Sequence, residues 1–264
     1  MDDKDYLEVV VEVAKNRSKD VYEDGLKPAT VQTGEVLGTV VGFFNNVVLY
    51  PIKRVNMSYV HKLEMFSQEL EAKTARIPQD KLMEPKMSIL GPTVEALKYN
   101  YEEVELKDMF LNLLTSAMNT DKVDLTHPSY VDIIKSMNGF DATILKKMVS
   151  MGQCPSSRTT IGFDNKVFSE AIPKKFAPDL IGDKNPYQVS ASIDNMIRLG
   201  LVKLFENKII GYNYDDFKEH PFVKGQFDVL SRVNPDRTLV INVKGHALQV
   251  TDFGRNFAKS CIQD

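Results

Sequence analysis

Between Pro28 and Ile52 the chain carries a single charged residue, Glu35, and three glycines, Gly34, Gly38 and Gly42, at every fourth position. On a helix, residues four apart lie one above the other. These glycines would form a ridge without side chains, along which another backbone can approach closely. Val36, Leu37, Val40, Val41, Phe44, Val47 and Val48 cover the remaining surface. A helix that is apolar nearly all round is buried in protein or in contact with lipid. The segment, predicted as a helix over about 34–52, therefore has two destinations. Its uncharged part, 36–52, holds 17 residues, or about 26 Å of helix against a hydrocarbon core of about 30 Å. Glu35, Asn45, Asn46 and Pro51 oppose a membrane span, whereas Lys53 and Arg54 suit an interfacial end. Packing of the glycine ridge on a neighbouring helix, within a bundle or an oligomer, is the favoured reading.

Composition narrows the rest. The 264 residues suffice for one large domain or two ordinary ones, and 43% apolar with 26% charged residues is the balance of a globular chain. A net charge of −3 argues against coating nucleic acid non-specifically. Residues 131–264 hold 18 Lys and Arg against 15 Asp and Glu, leaving 15 against 21 for residues 1–130. Cys154 and Cys261 cannot make a disulfide framework, which suits a reducing cytosol. The opening MDDKDYLEVVVEVAKNR is acidic where a signal peptide is basic, so a cytoplasmic location is expected. Peripheral contact with the inner face of the membrane, through 34–52, is the alternative.

Periodicity predicts a mainly helical first half. Tyr6, Val9, Val10, Val13 and Val21 lie at helical spacing, and a charged amphipathic helix runs from about 54 to 76 with its charges on a solvated face. A helix pair spans 93–119, the second member presenting Leu106, Met109, Phe110, Leu113, Leu114 and Ala117 on one side. His127-Pro128 caps a further helix, Asn138-Gly139 ends it, and Asp141–Met151 forms the next. The character then changes. CPSSRTTIGFDN, IPKKFAPD and IGDKNP read as loops. Asn185-Pro186 starts a helix over 186–199, LVKLF is a short strand, and 237–243 with 246–251 form a hairpin turning at Lys244-Gly245. A last helix covers 253–262. Three helices, a hairpin and a helix over 128–262 make a winged-helix pattern, the helix ending in RLGLV running into the wing.

No catalytic or cofactor motif is present. His61, His127, His220 and His246 have no metal-ligand spacing. His127 is read as a cap and His246 as an exposed residue of the wing. The acids of Tyr101-Glu102-Glu103-Val104-Glu105 suit a helix start, where negative charge favours the dipole. Asp215-Asp216 with Glu219-His220 is read as a solvated loop. The outward face of the 186–199 helix offers Tyr187, Gln188, Ser190, Asp194, Asn195 and Arg198, with Lys174, Lys175 and Lys184 nearby and Lys244 at the hairpin tip. One arginine balanced by Asp194 is poor equipment for a phosphate backbone. Gln188, Asn195, Arg198 and these lysines are candidate partner contacts, with nucleic acid the weaker choice and protein the stronger.

The run EPKMSILGPTVEALKYNYEEVELKDMFLNLLTSAMNTD from Glu84, then HPSYVDIIKSMNGFDATILKKM from His127, resembles the abortive infection alpha family of bacterial phage-defence proteins. The upstream LKP and GE-x-LG segment and the TDFGRNFAKSC ending fit as well. Gly139-Phe140 departs from the short Ser-Pro cap of many relatives. The resemblance implies a role in abortive infection, in which an infected cell is halted before phage spreads. It supplies no catalytic residues to carry over.

The sequence thus predicts a mainly α protein in two parts. Residues 1–126 are a helical region with the glycine-rich apolar helix, and residues 127–264 a winged-helix-like module with a small hairpin. The expected function is a non-enzymatic antiphage protein without cofactor or metal, acting through a protein partner or homo-oligomer. The alternatives are a membrane-active effector working through 34–52 and a DNA-binding regulator.

Overall fold

The computed structural model describes residues 28–44 and 57–262, other than 164, 165, 170 and 183. The helix expected around Tyr6–Val21, the second half of the glycine segment and residues 53–56 lie outside the described residues. The chain divides into two compact units, Met1–Lys135 with Ser260–Asp264, and Ser136–Lys259.

The first unit is helical. It contains α1 (Pro28–Phe44), α2 (Met57–Thr74), α3 (Met87–Asn100), α4 (Val104–Ala117) and α5 (Ser129–Lys135). Helix α3 begins well before the predicted Thr93 and accommodates Pro92, which cannot donate to the carbonyl four residues earlier. Its buried residues Ile89, Leu90, Val94 and Leu97 lie at helical spacing and seat it in the core. Helix α4 buries the whole predicted stripe and also Leu111, Asn112 and Ser116 on its other side. Residues 260 and 261 return to close that side. Asn112 Nδ2 donates to the Cys261 carbonyl at 3.2 Å, and Ser116 Oγ to the Ser260 carbonyl at 3.0 Å. The charges of α2 are less solvated than their alternation predicts. Lys107 meets Glu69 at 2.6 Å and Lys73 meets Asp108 at 2.8 Å, each an α2–α4 pair.

The glycine ridge points elsewhere. Helix α1 packs through Val36, Val40 and Phe44, and Phe44 stacks on Phe66 with ring centroids 4.0 Å apart. Gly34 and Gly38 are exposed and Gly42 half-buried. A Cβ added at any of the three would meet nothing within 4 Å. Among the described residues no helix is long and apolar enough to cross a membrane.

The second unit sets helices around a four-stranded antiparallel sheet. Its order of elements is α6 (Gly139–Met151), β1 (Gln153–Phe163), β2 (Lys166–Ser169), α7 (Pro178–Ile181), α8 (Pro186–Arg198), β3 (Val202–Phe205), a 3-10 turn (Tyr214–Glu219), α9 (Pro221–Val233), β4 (Val240–Val250) and α10 (Asp252–Cys261), the last two residues of which belong to the first unit. The sheet runs β2-β1-β4-β3. Two expectations are corrected here. CPSSRTTIGF is not a loop but β1, an 11-residue strand paired with β4 from Gln153↔Gln249 to Gly162↔Val240. Pro155 is tolerated because the Ser157 N–H, two residues on and pointing the same way, donates to Phe176 rather than to β4. The hairpin around Lys244-Gly245 does not form, because residues 240–250 are one continuous strand. Gly245 lies inside it because the Tyr214 ring packs flat against its backbone, 2.7 Å from where a Cβ would stand. The strand partner of β4 on that side is β3, with Val202↔Val250 to Phe205↔Ala247 in register.

Candidate partner-binding face of the second unit

Helix α8 starts where Asn185 accepts the Tyr187 N–H at 2.9 Å, with Pro186 in the first turn, as its sequence dictates. Val189, Ile193 and Met196 are fully buried, so Tyr187, Gln188, Asp194 and Arg198 are turned outward. The RLGLV ending is a Schellman stop. Gly200 has φ of 75°, its N–H donates to Ile197 and the Leu201 N–H to Met196. The TDFG ending is built onto this stop. Thr251 Oγ1 donates to the Gly200 carbonyl at 2.7 Å and accepts from the Gly254 N–H at 2.9 Å. A Cβ on Gly254 would stand 2.2 Å from the Leu201 carbonyl oxygen, so only glycine fits.

The predicted contact residues divide into groups. Asn195 is structural. Its Nδ2 donates at 2.9 Å both to the Ser136 carbonyl and to Asp141 Oδ2, and its Oδ1 accepts from Arg198 Nη2 at 2.7 Å. Asp141 also accepts from Ser192 and forms a capping box with Asn138, tying the start of α6 to α8. Lys184 lies 5.6 Å from the Phe140 ring centroid. Lys175 pairs with Asp194, and its backbone N–H donates to Ser190 Oγ. Lys244 pairs with Glu206 at 2.9 Å, holding that carboxyl below its usual range. Lys174 and Gln188 are exposed. Two of these positive charges, Lys175 and Lys244, are matched by acids at contact distance, which weakens the field the face can offer to phosphates.

Sequence reasoning misses a polar spot in the sheet. His246 stands opposite Ser156 in the β1–β4 register, so the two side chains share a face. His246 is 6% exposed rather than out in a wing, and Ser156 is fully buried. Among the described residues, neither imidazole nitrogen and not the Ser156 hydroxyl meets a hydrogen-bond partner. Burial, the largest cause, lowers the His246 pKa, and Lys244, Arg158 and Lys175 lower it further while Glu206 raises it. No local pattern signals this spot, because it exists only once β1 and β4 pair. On the opposite face Tyr214 donates to the His246 carbonyl at 2.6 Å and accepts from the Ile209 N–H at 3.1 Å. Phe176 meets Phe217 edge-on at 6.0 Å there.

The other residues weighed for chemistry are held by packing or by local hydrogen bonds. Burial pushes the Cys154 thiol up to about 12 and the Cys261 thiol well above its ordinary value, so both are small core residues. His127 Nδ1 accepts the Ser129 N–H at 3.1 Å, as a cap does. Asp215 pairs with Lys218 at 2.6 Å and Asp216 accepts from Asn213 at 2.7 Å. Among the described residues no group of His, Cys, Asp and Glu is arranged to hold a metal ion.

The model of one protein family, abortive infection alpha, matches residues 58–261. No curated protein and no solved structure matches the chain. The match takes in α2, the α3–α4 pair, the capped α6, the sheet and the TDFG latch, which is most of the chain. The chain belongs to the abortive infection alpha family.

Proposed function

We propose that the protein acts in phage defence of the abortive-infection type as a non-enzymatic effector, and that Ser136–Lys259 is its partner-binding module. The single observation that carries the reading is the family match over residues 58–261. The path of the second unit supports the finer part. Helix α6, strand β1, helices α7 and α8 and strands β3 and β4 follow one another as the elements of a winged helix do, with β1-β4-β3 adjacent in the sheet. In this comparison β2 and the segment 206–239 are additions, and α8 takes the place of the third helix. Protein is the favoured partner because Lys175, Lys244 and Arg198 each have a partner within the chain.

The test is expression in a phage-sensitive bacterial host. Plaque number should fall, and cells infected at high multiplicity should die without releasing phage. Unchanged plating and unchanged burst across a broad phage panel would overturn the reading. Ala191→Arg, on the exposed side of α8, should abolish protection while leaving thermal unfolding unchanged. Duplex DNA should bind weakly and lose affinity as salt rises. Tight, sequence-selective binding at physiological salt would replace the protein partner with DNA.

A further inference from the structure

Helix α9 is 13 residues long and buries only Val223. Its inner side is held by neighbours. His220 Nδ1 accepts the Phe222 N–H at 3.2 Å as the cap, and the Phe222 ring lies 6.2 Å from Phe176 and 5.9 Å from Tyr187. Its outer side carries Val229, 55% exposed, and Val233, 72% exposed. These two continue a line from Gly225, where an added Cβ would meet nothing within 4 Å. Gly225, Val229 and Val233 are spaced by four, so they form one ridge of the kind that packs into the groove of another helix. Beside the ridge run Asp228 and Arg232, also four apart and both exposed. Neither has an ion pair or hydrogen bond among the described residues, whereas Lys224 on the same helix pairs with Glu219 at 2.5 Å.

We propose that α9 is the surface on which a second copy of this chain docks, antiparallel, about a twofold axis passing beside Val229. The chemistry of the surface is complementary to itself. A twofold axis there sets Val229 against its own copy and Val233 against the second copy's Gly225, where the absent side chain makes room. The same operation brings Asp228 towards the second copy's Arg232, and Arg232 towards the second copy's Asp228. A parallel arrangement would instead set Val233 against its own copy, leave Gly225 without a valine opposite it, and place the charges of the two copies on opposite sides of the ridge. The pairing buries the two exposed valines and satisfies both unpaired charges twice over. It stands on α9 alone, and a failure of the phage test would leave it untouched.

The experiment uses the full chain in sedimentation velocity or light scattering over a range of concentrations. Wild type should be dimeric. Val229→Asp and Val233→Asp should each raise the concentration of half-dissociation on the order of tenfold or more, with circular dichroism unchanged. Asp228→Arg and Arg232→Asp should each weaken the dimer, and the two together should restore it. That rescue distinguishes direct pairing from a general loss of solubility. Val229→Cys should form an intermolecular disulfide under mild oxidation, since Cys154 and Cys261 are buried. A protein that is monomeric at every concentration, with no crosslink, overturns the proposal. So does an oligomer that ignores all α9 changes but dissociates on Gly38→Leu, which would assign self-association to the α1 ridge instead.

Discussion

A side chain at residue 245 would have to occupy the space of the Tyr214 ring, 2.7 Å from its first atom. Gly245→Val should therefore displace the tyrosine from β4 and, as overpacking does, cost about 1–3 kcal/mol. Urea unfolding with an unchanged slope measures this, and a variant as stable as wild type would mean the ring moves freely. His246 makes the sheet acid-sensitive. Burial holds its folded pKa below the ordinary 6.5, so the unfolded chain binds the proton more readily. The stabilisation is complete above that value and is lost as the pH falls through the folded pKa. Melting temperature should drop on acidification from pH 7.5 to 5, and His246→Phe should flatten part of that slope. His220, also lowered by burial, supplies a further part. A wild-type profile flat over that range would sink the prediction. These two residues show where sequence reasoning stops. Lys-Gly between alternating apolar residues has the signature of a turn, and only Tyr214, far earlier in the chain, explains the glycine. A turn at that point would put His246 in solvent, whereas the continuous strand buries it.

Helices were the readable elements. The stripe of α4, the Asn185-Pro186 start of α8, the break at Asn138 and the Gly200 stop all follow from spacing and capping within a few residues, which a local pattern contains. Strand β1 is not readable in the same way, and β4 is readable as strand but not as one continuous strand. The partner of Cys154 is Leu248, and a run of Ser, Thr and Arg becomes a strand only because that partner exists. The glycine spacing of α1 was read from the same kind of local pattern, but the pattern does not say which face the helix buries. In the structure the buried face is Val36, Val40 and Phe44, so Gly38 lies in open surroundings. Gly38→Ala should accordingly raise stability by about 0.5–1 kcal/mol through helix propensity. A fall of similar size in dilute solution would show instead that another backbone rests on the ridge.

Across the whole molecule, the first unit is discontinuous in sequence and the second is not. Ser260 and Cys261 supply the carbonyls that Ser116 and Asn112 need, and Ser260 Oγ donates to the Leu125 carbonyl at 3.1 Å. A chain ending at Lys259 should leave two buried donors on α4 without acceptors, each costing about 1–3 kcal/mol. The loss should appear as early hydrogen exchange in α4, with the sheet of Ser136–Lys259 still protected. Uniform loss of protection in both units would count against that division. The arrangement also imposes an order of events during synthesis. Every residue of the second unit is made before the residues that complete the first, so the helical unit, though begun first, is the last to receive its full set of acceptors.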